Sequence, residues 1–103
     1  MSEQIFVDVF ENEVVLTDEV QAETFDKHPE AKGFLKHVEV TLQAPDEVRR
    51  SSRDERVMLY YRYEHEVLGG KWIVVVVKRI DRNFVSTFYA TNKIKLGETL
   101  WKK

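Results

Sequence analysis

Val57-Met58-Leu59-Tyr60-Tyr61-Arg62-Tyr63-Glu64, a break at Gly69-Gly70, then Lys71-Trp72-Ile73-Val74-Val75-Val76-Val77-Lys78: this stretch decides the fold. In the first run, Val57, Leu59, Tyr61 and Tyr63 alternate with Met58, Tyr60, Arg62 and Glu64 at the two-residue period of a strand. Paired glycines supply the positive φ of a tight hairpin, so the two runs read as an antiparallel pair. The second run is β-branched almost without interruption, the pattern of a central strand covered on both faces. Asp81-Arg82-Asn83 turns the chain into Phe84-Val85-Ser86-Thr87-Phe88-Tyr89-Ala90-Thr91, a third strand that completes an antiparallel meander. Regular alternation along that strand puts Val85, Thr87, Tyr89 and Thr91 on one face.

Upstream the chain changes character. Ile5-Phe6-Val7-Asp8-Val9-Phe10, a turn at Glu11-Asn12-Glu13 and Val14-Val15-Leu16 read as an N-terminal strand or hairpin. Thr17 is placed as an N-cap, with Asp18 and Glu19 favourably set against the helix dipole. The helix that follows is short, because Pro29 is acceptable only at a helix start. A second helix then carries Phe34, Leu35, Val38 and Leu42 on its core-facing stripe and stops before Pro45. Arg49-Arg50-Ser51-Ser52-Arg53-Asp54 lacks periodicity and reads as a surface loop, and Gly97 to Trp101 as a tail lying back on the sheet, anchored by Trp101. The expectation is a single α+β domain over residues 1–103: a strand or hairpin, one or two helices, then an antiparallel meander with the long helix packed across it.

The chain has 103 residues and no cysteine, which excludes disulfides, thiolate catalysis and cysteine-ligated zinc. The opening Met1-Ser2-Glu3-Gln4 lacks the basic-then-apolar pattern of a secretory signal. The longest strongly apolar run, Trp72 to Val77, is far shorter than the ~20 residues of a membrane span. A cytoplasmic protein with no membrane contact is therefore expected. The net charge of −2 conceals a division: residues 1–48 hold twelve acids and three lysines, residues 49–103 thirteen bases and six acids. Such asymmetry marks either a nucleic-acid surface on the basic half or ordinary solvated helices beside Lys- and Arg-bearing strands.

No phosphate-binding loop, dinucleotide fingerprint, zinc-protease helix or nucleophile elbow is present, and His28, His37 and His65 are too dispersed for a metal site. No cofactor or metal is expected. What remains is a strand face bearing Thr87, Tyr89 and Thr91, with Arg62 and Lys78 near the ends of apolar runs on neighbouring strands. Cations neutralise a phosphate, hydroxyls donate to it and a tyrosine stacks on a base. Thr and Tyr are equally common strand formers, so the same residues suit a purely structural role. His28, ahead of Pro29, likewise suits a helix junction.

His28-Pro29-Glu30, a helix closing on Thr41-Leu42-Gln43-Ala44-Pro45-Asp46-Glu47-Val48, then Leu59-Tyr60-Tyr61-Arg62, Val74 to Lys78, Phe84 to Tyr89 and Lys93-Ile94-Lys95-Leu96-Gly97-Glu98 form an ordered set. From about residue 18 onward this order resembles the phage-type nuclease-like domains of the barnase–EndoU–colicin–RelE superfamily, whose usual activity is metal-independent RNA cleavage. The resemblance implies helices followed by a four-stranded antiparallel sheet, with His28 as acid/base and Lys78 and Arg62 as charge stabilisers. Thr87 and Tyr89 become phosphate-orienting or proton-relay groups; apart from the resemblance, the cationic Arg49 and Arg53 and the face-sharing Thr91 are candidate substrate contacts. Relatives of this type often carry a second histidine, preceded by an arginine, one turn ahead of the His-Pro-Glu triplet; here Gln21-Ala22-Glu23-Thr24-Phe25 has neither. That departure sets up the alternative, a non-catalytic module holding RNA, or a partner protein through the acidic helical half.

Overall fold

The computed structural model describes residues 2–95 and 97–103; Met1 and Leu96, the latter within the Lys93–Glu98 motif, lie outside the described residues. Among them the chain forms β1 (Glu3–Val7), β2 (Glu13–Thr17), α1 (Asp18–Lys27), a 3₁₀ helix (Pro29–Phe34), α2 (Leu35–Gln43), β3 (Glu47–Ser51), β4 (Val57–Glu64), β5 (Lys71–Arg79), β6 (Asn83–Thr91) and β7 (Gly97–Lys102). The strands make one seven-stranded sheet in the order β1-β2-β6-β5-β4-β3-β7. It is an α+β fold with a mixed sheet, because β2 runs parallel to β6 while every other pair is antiparallel.

The β4–β5–β6 meander forms as its periodicity predicts, with β5 at the centre of the sheet. Ile73, Val75 and Val77 of β5 enter the main core with Tyr60, Phe88, Val38 and Leu42, between the sheet and the helices. Val74 faces the other way, into a smaller cluster with Leu59 and Tyr61. The two faces of β5 are thus both apolar, but only one lies under helices.

Four expectations need correction. Arg49 to Ser51 are not loop: they belong to β3, which pairs with β4 on one side and β7 on the other. Val48, buried opposite Tyr60, gives this polar segment its hold on the core. The C-terminal tail is the edge strand β7, with Trp101 packed on the main core. The long helix begins as a 3₁₀ turn, its Gly33 lacking a side chain to favour α geometry. Val85 does not share a face with Thr87: Val77 pairs with Val85 and Val76 with Thr87, so Ser86 is an extra residue. This bulge turns Val85 into the main core beside Phe88 and leaves Thr87 and Tyr89 on the opposite face.

Thr17 caps α1 as expected, its hydroxyl accepting from the Val20 amide at 3.2 Å. Asp18, in the first turn, accepts from the Ser2 amide and hydroxyl, which holds its carboxyl below the ordinary range. The hairpin β1–β2 is tied down by Asp8, whose Oδ1 accepts from the Phe10 and Asn12 amides. Its other oxygen accepts from the buried Tyr60 hydroxyl at 2.5 Å, and Val9 N donates to the carbonyl of Leu42 at the end of α2. No helix among the described residues is long and apolar enough to cross a membrane.

Burial, followed by the hydrogen bond to Asp8, pushes the Tyr60 hydroxyl well above its ordinary value of 10.0; burial also raises Tyr61. A raised acid pKa means that the folded state keeps a proton the unfolded chain gives up. The resulting stability is present below pH 10 and is lost as pH rises above it. Tyr60→Phe leaves the Asp8 carboxylate short of a partner and should cost about 1–3 kcal/mol in urea denaturation at neutral pH. The same variant should show a shallower loss of stability above pH 10 than the parent protein.

Candidate functional site

The face of the sheet away from the main core carries a cleft of about 550 Å³, lined by Ser51, Ser52 and Arg53 on one side, Thr87, Tyr89 and Lys95 on another, and floored by Val57, Leu59 and Val76. Its existence follows from three connections.

The first is α1. β2 pairs with β6 only around Asn83 and Phe84, so the later half of β6 would be an open edge. α1 continues from β2 along that edge and straddles it. Phe25 reaches the main-core side, edge-to-face with Phe88 at 6.0 Å, while Thr24 reaches the open side, its hydroxyl 3.4 Å from that of Thr87. His28 closes α1, its amide donating to Thr24 O at 2.7 Å, and its backbone (φ −132°, ψ 77°) has left the α region that Pro29 disfavours in its predecessor. The imidazole is thereby stacked on Tyr89, with centroids 5.4 Å apart at 22°. Glu30 Oε1 lies 3.5 Å from His28 Nδ1, and the ring is 37% exposed.

The second is the link from β6 to β7. The two strands run in the same sense but are separated by β5, β4 and β3, so the chain must cross the open face diagonally. On a flat sheet Thr91 and Gly97 would stand ~28 Å apart, from four strand spacings of ~4.8 Å and six residues of ~3.3 Å. Six residues of extended chain reach only ~22 Å. The sheet therefore coils around this short strap. Ile94 packs on the Leu59–Tyr61–Val74 cluster, Lys95 N donates to the Tyr61 hydroxyl at 3.1 Å, and Arg49 Nη1 donates to Lys95 O at 3.4 Å. Gly97 ends the crossing where a Cβ would sit 2.2 Å from Arg50 O, too close for any side chain.

The third is the Ser52–Arg56 turn between β3 and β4, which raises Arg53 at the rim. Asp54 there is hydrogen-bonded by Arg56, which lowers its carboxyl pKa, and lies 3.8 Å from Lys78 Nζ.

The expected residues divide accordingly. Thr87, Tyr89 and Arg53 line the cleft, and His28 reaches its margin by stacking on Tyr89. Lys78 shares the face, beyond Val76 and engaged by Asp54. Thr91 lies on the same face where the strap departs, its hydroxyl within 3.4 Å of Lys93 N and O. Arg49 is bound to Glu47 and the strap rather than facing the cleft. Arg62 is on the opposite face: it pairs Ile73, a main-core residue, and donates to Ala44 O at 2.5 Å and to Glu64 at 3.2 Å. His37 is largely buried, 3.2 Å from the same Glu64. Ser51, Ser52, Lys95, Thr24 and Glu30 were not anticipated. Lys95 had a signal, since Lys-Ile-Lys alternation is that of an extended segment with one apolar foot. Among the described residues, Arg53 and Lys95 have no acid within ion-pair distance, and no three His, Asp or Glu side chains gather at metal-ligand spacing.

Because Ile94 is the apolar foot of the strap, Ile94→Ser should release it locally. Limited trypsinolysis should then cut after Lys93 or Lys95 about 10-fold faster, with the global unfolding midpoint moving far less. Comparison of the chain with protein-family models, curated proteins and solved structures gives no match.

Proposed function

We propose that this domain is a metal-independent ribonuclease, cleaving RNA by attack of a ribose 2′-oxygen on the adjacent phosphate. The supporting observation is the stacking of His28 on Tyr89 at the margin of a cleft rimmed by Arg53 and Lys95. Glu30 beside Nδ1 orients the imidazole and leaves Nε2 for proton transfer. In this scheme His28 takes the 2′-hydroxyl proton, the new P–O2′ bond forms, and the P–O5′ bond breaks. The Tyr89 hydroxyl returns a proton to the departing O5′, giving a 2′,3′-cyclic phosphate and a 5′-hydroxyl. Arg53 and Lys95 balance charge on the phosphorane, and Thr87 at the cleft wall orients the non-bridging oxygens. Lys78 lies four β5 residues beyond the partner of Tyr89, ~13 Å along the strand, and so serves a neighbouring phosphate. Helices followed by the β4–β5–β6 meander suit the same reading, although the sheet has seven strands and one parallel pair where the barnase–EndoU–colicin–RelE resemblance implies four antiparallel strands.

A second reading is favoured by one observation: Thr24, from the stretch that lacks the second histidine, sits against Thr87 where another imidazole would complete an acid–base pair. The domain is then a binding module, holding RNA in the cleft or a basic partner on the exposed Glu19, Glu23 and Asp26 of α1.

Incubation with mixed RNA in excess EDTA should yield fragments ending in 2′,3′-cyclic phosphate. His28→Ala should slow their formation by about 100- to 10,000-fold, and Arg62→Gln should leave the rate unchanged. RNA that stays intact at high protein concentration selects the binding module instead.

A further inference from the structure

The strap divides the open face, and the part beyond it is aromatic. It crosses at Tyr61, so Leu59 and Val57 lie on its cleft side while Tyr63, next on that face of β4, lies on the other. Tyr63 pairs in register with Trp72, their rings edge-to-face at 5.3 Å, and His65 meets Tyr63 edge-on at 4.9 Å. Tyr63 is 36% exposed, so part of its ring faces solvent. Its hydroxyl lies over Gly70, where a Cβ would come within 2.3 Å and where φ is +106°, so the hairpin turn is shaped around the ring. Lys93, exposed at the start of the strap, adds positive charge. Asp46, whose carboxylate accepts from Tyr63 N, lies 3.8 Å from Lys103 Nζ, which offsets its charge.

We infer that the substrate is unpaired RNA, gripped at two places: a phosphate and ribose in the cleft, and a nucleobase of the same strand stacked on the Tyr63–Trp72–His65 cluster beyond the strap. A strand can cross a ridge one peptide segment wide and place a base on rings to either side; the bases of a duplex are already stacked on one another and present no free face. The inference rests on the ribonuclease reading for the cleft, while the aromatic cluster is an independent binding element.

The test uses a fluorescein-labelled 2′-O-methyl RNA hexanucleotide, which cannot undergo transesterification, with its blunt duplex and a dinucleotide of the same chemistry as comparators. The hexanucleotide should bind more tightly than the duplex. Tyr63→Ala should weaken hexanucleotide binding about 5- to 150-fold and leave the dinucleotide unaffected, while Tyr63→Phe retains the affinity. If the alanine variant loses its far-ultraviolet dichroism, Tyr63→Leu, which keeps apolar cover without a ring, decides the same question. A duplex bound as tightly as the single strand, or hexanucleotide affinity indifferent to residue 63, would overturn the inference. Cleavage of the all-ribose hexanucleotide in EDTA, followed in parallel, separates the two readings. Tyr63-dependent binding without cleavage sinks the ribonuclease and keeps the platform, whereas His28-dependent cleavage with Tyr63-independent binding does the reverse.

Discussion

A central strand that is apolar on both faces must be covered on both, and the helices of this chain cover only one. The 3₁₀ helix and α2 bury Ile73, Val75 and Val77, leaving Trp72, Val74 and Val76 to be shielded by whatever remains. α1 shields one side because β2 is too short to extend along β6, and the β6–β7 strap shields the middle through Ile94. Between them the cover is incomplete, and the uncovered portion is the cleft. A concave, partly apolar surface with Arg53 and Lys95 at its rim is thus a by-product of how the sheet is closed over.

The polar groups of this face follow from the same closure. Arg49 spans Glu47 and the strap carbonyl of Lys95, so a base in a cationic segment serves the backbone. Asp54 similarly occupies Arg56 and approaches Lys78. Among the described residues lining the cleft, Arg53 on the turn and Lys95 on the strap are cations with no acid partner, and they lie on opposite sides of it although 42 residues separate them in the chain. The acidic first half and basic second half therefore do not become two faces. β3 and the strap carry cations onto the open face, while α1, acidic on its solvent side, brings a histidine and a threonine to it.

The parts of the fold that were legible in sequence are those in which local period and burial agree. The meander, the Thr17 cap and the Pro29 and Pro45 boundaries all rest on near-neighbour rules. What escaped was non-local. Glu47–Ser51 carries three charges in five residues, and only its place between β4 and β7 makes it a strand. The bulge at Ser86 changes the face of Val85 without altering residue types, so strict alternation misassigned it while assigning Thr87 and Tyr89 together. Arg62 looked equivalent to Lys78 because both end apolar runs, but sixteen positions of chain and a hairpin place them on opposite faces. His28 was visible as a residue between two helices; its stacking on Tyr89 depends on α1 straddling a sheet edge, which no local pattern encodes.

The short strap has a consequence for how such a chain tolerates change over evolutionary time. Where a connection is only just long enough, its length rather than its composition is under constraint. An added residue between Thr91 and Gly97 would give slack that lets the sheet flatten, and the cleft would widen even if every side chain lining it were preserved. The Glu64–Lys71 hairpin carries no such tension, and a residue added at its exposed Leu68 would leave Val67 in the core and Gly70 under the Tyr63 ring. Insertions in descendants of this fold should therefore accumulate at the hairpin and avoid the strap, leaving a record of tension in the pattern of gaps rather than in the identity of residues.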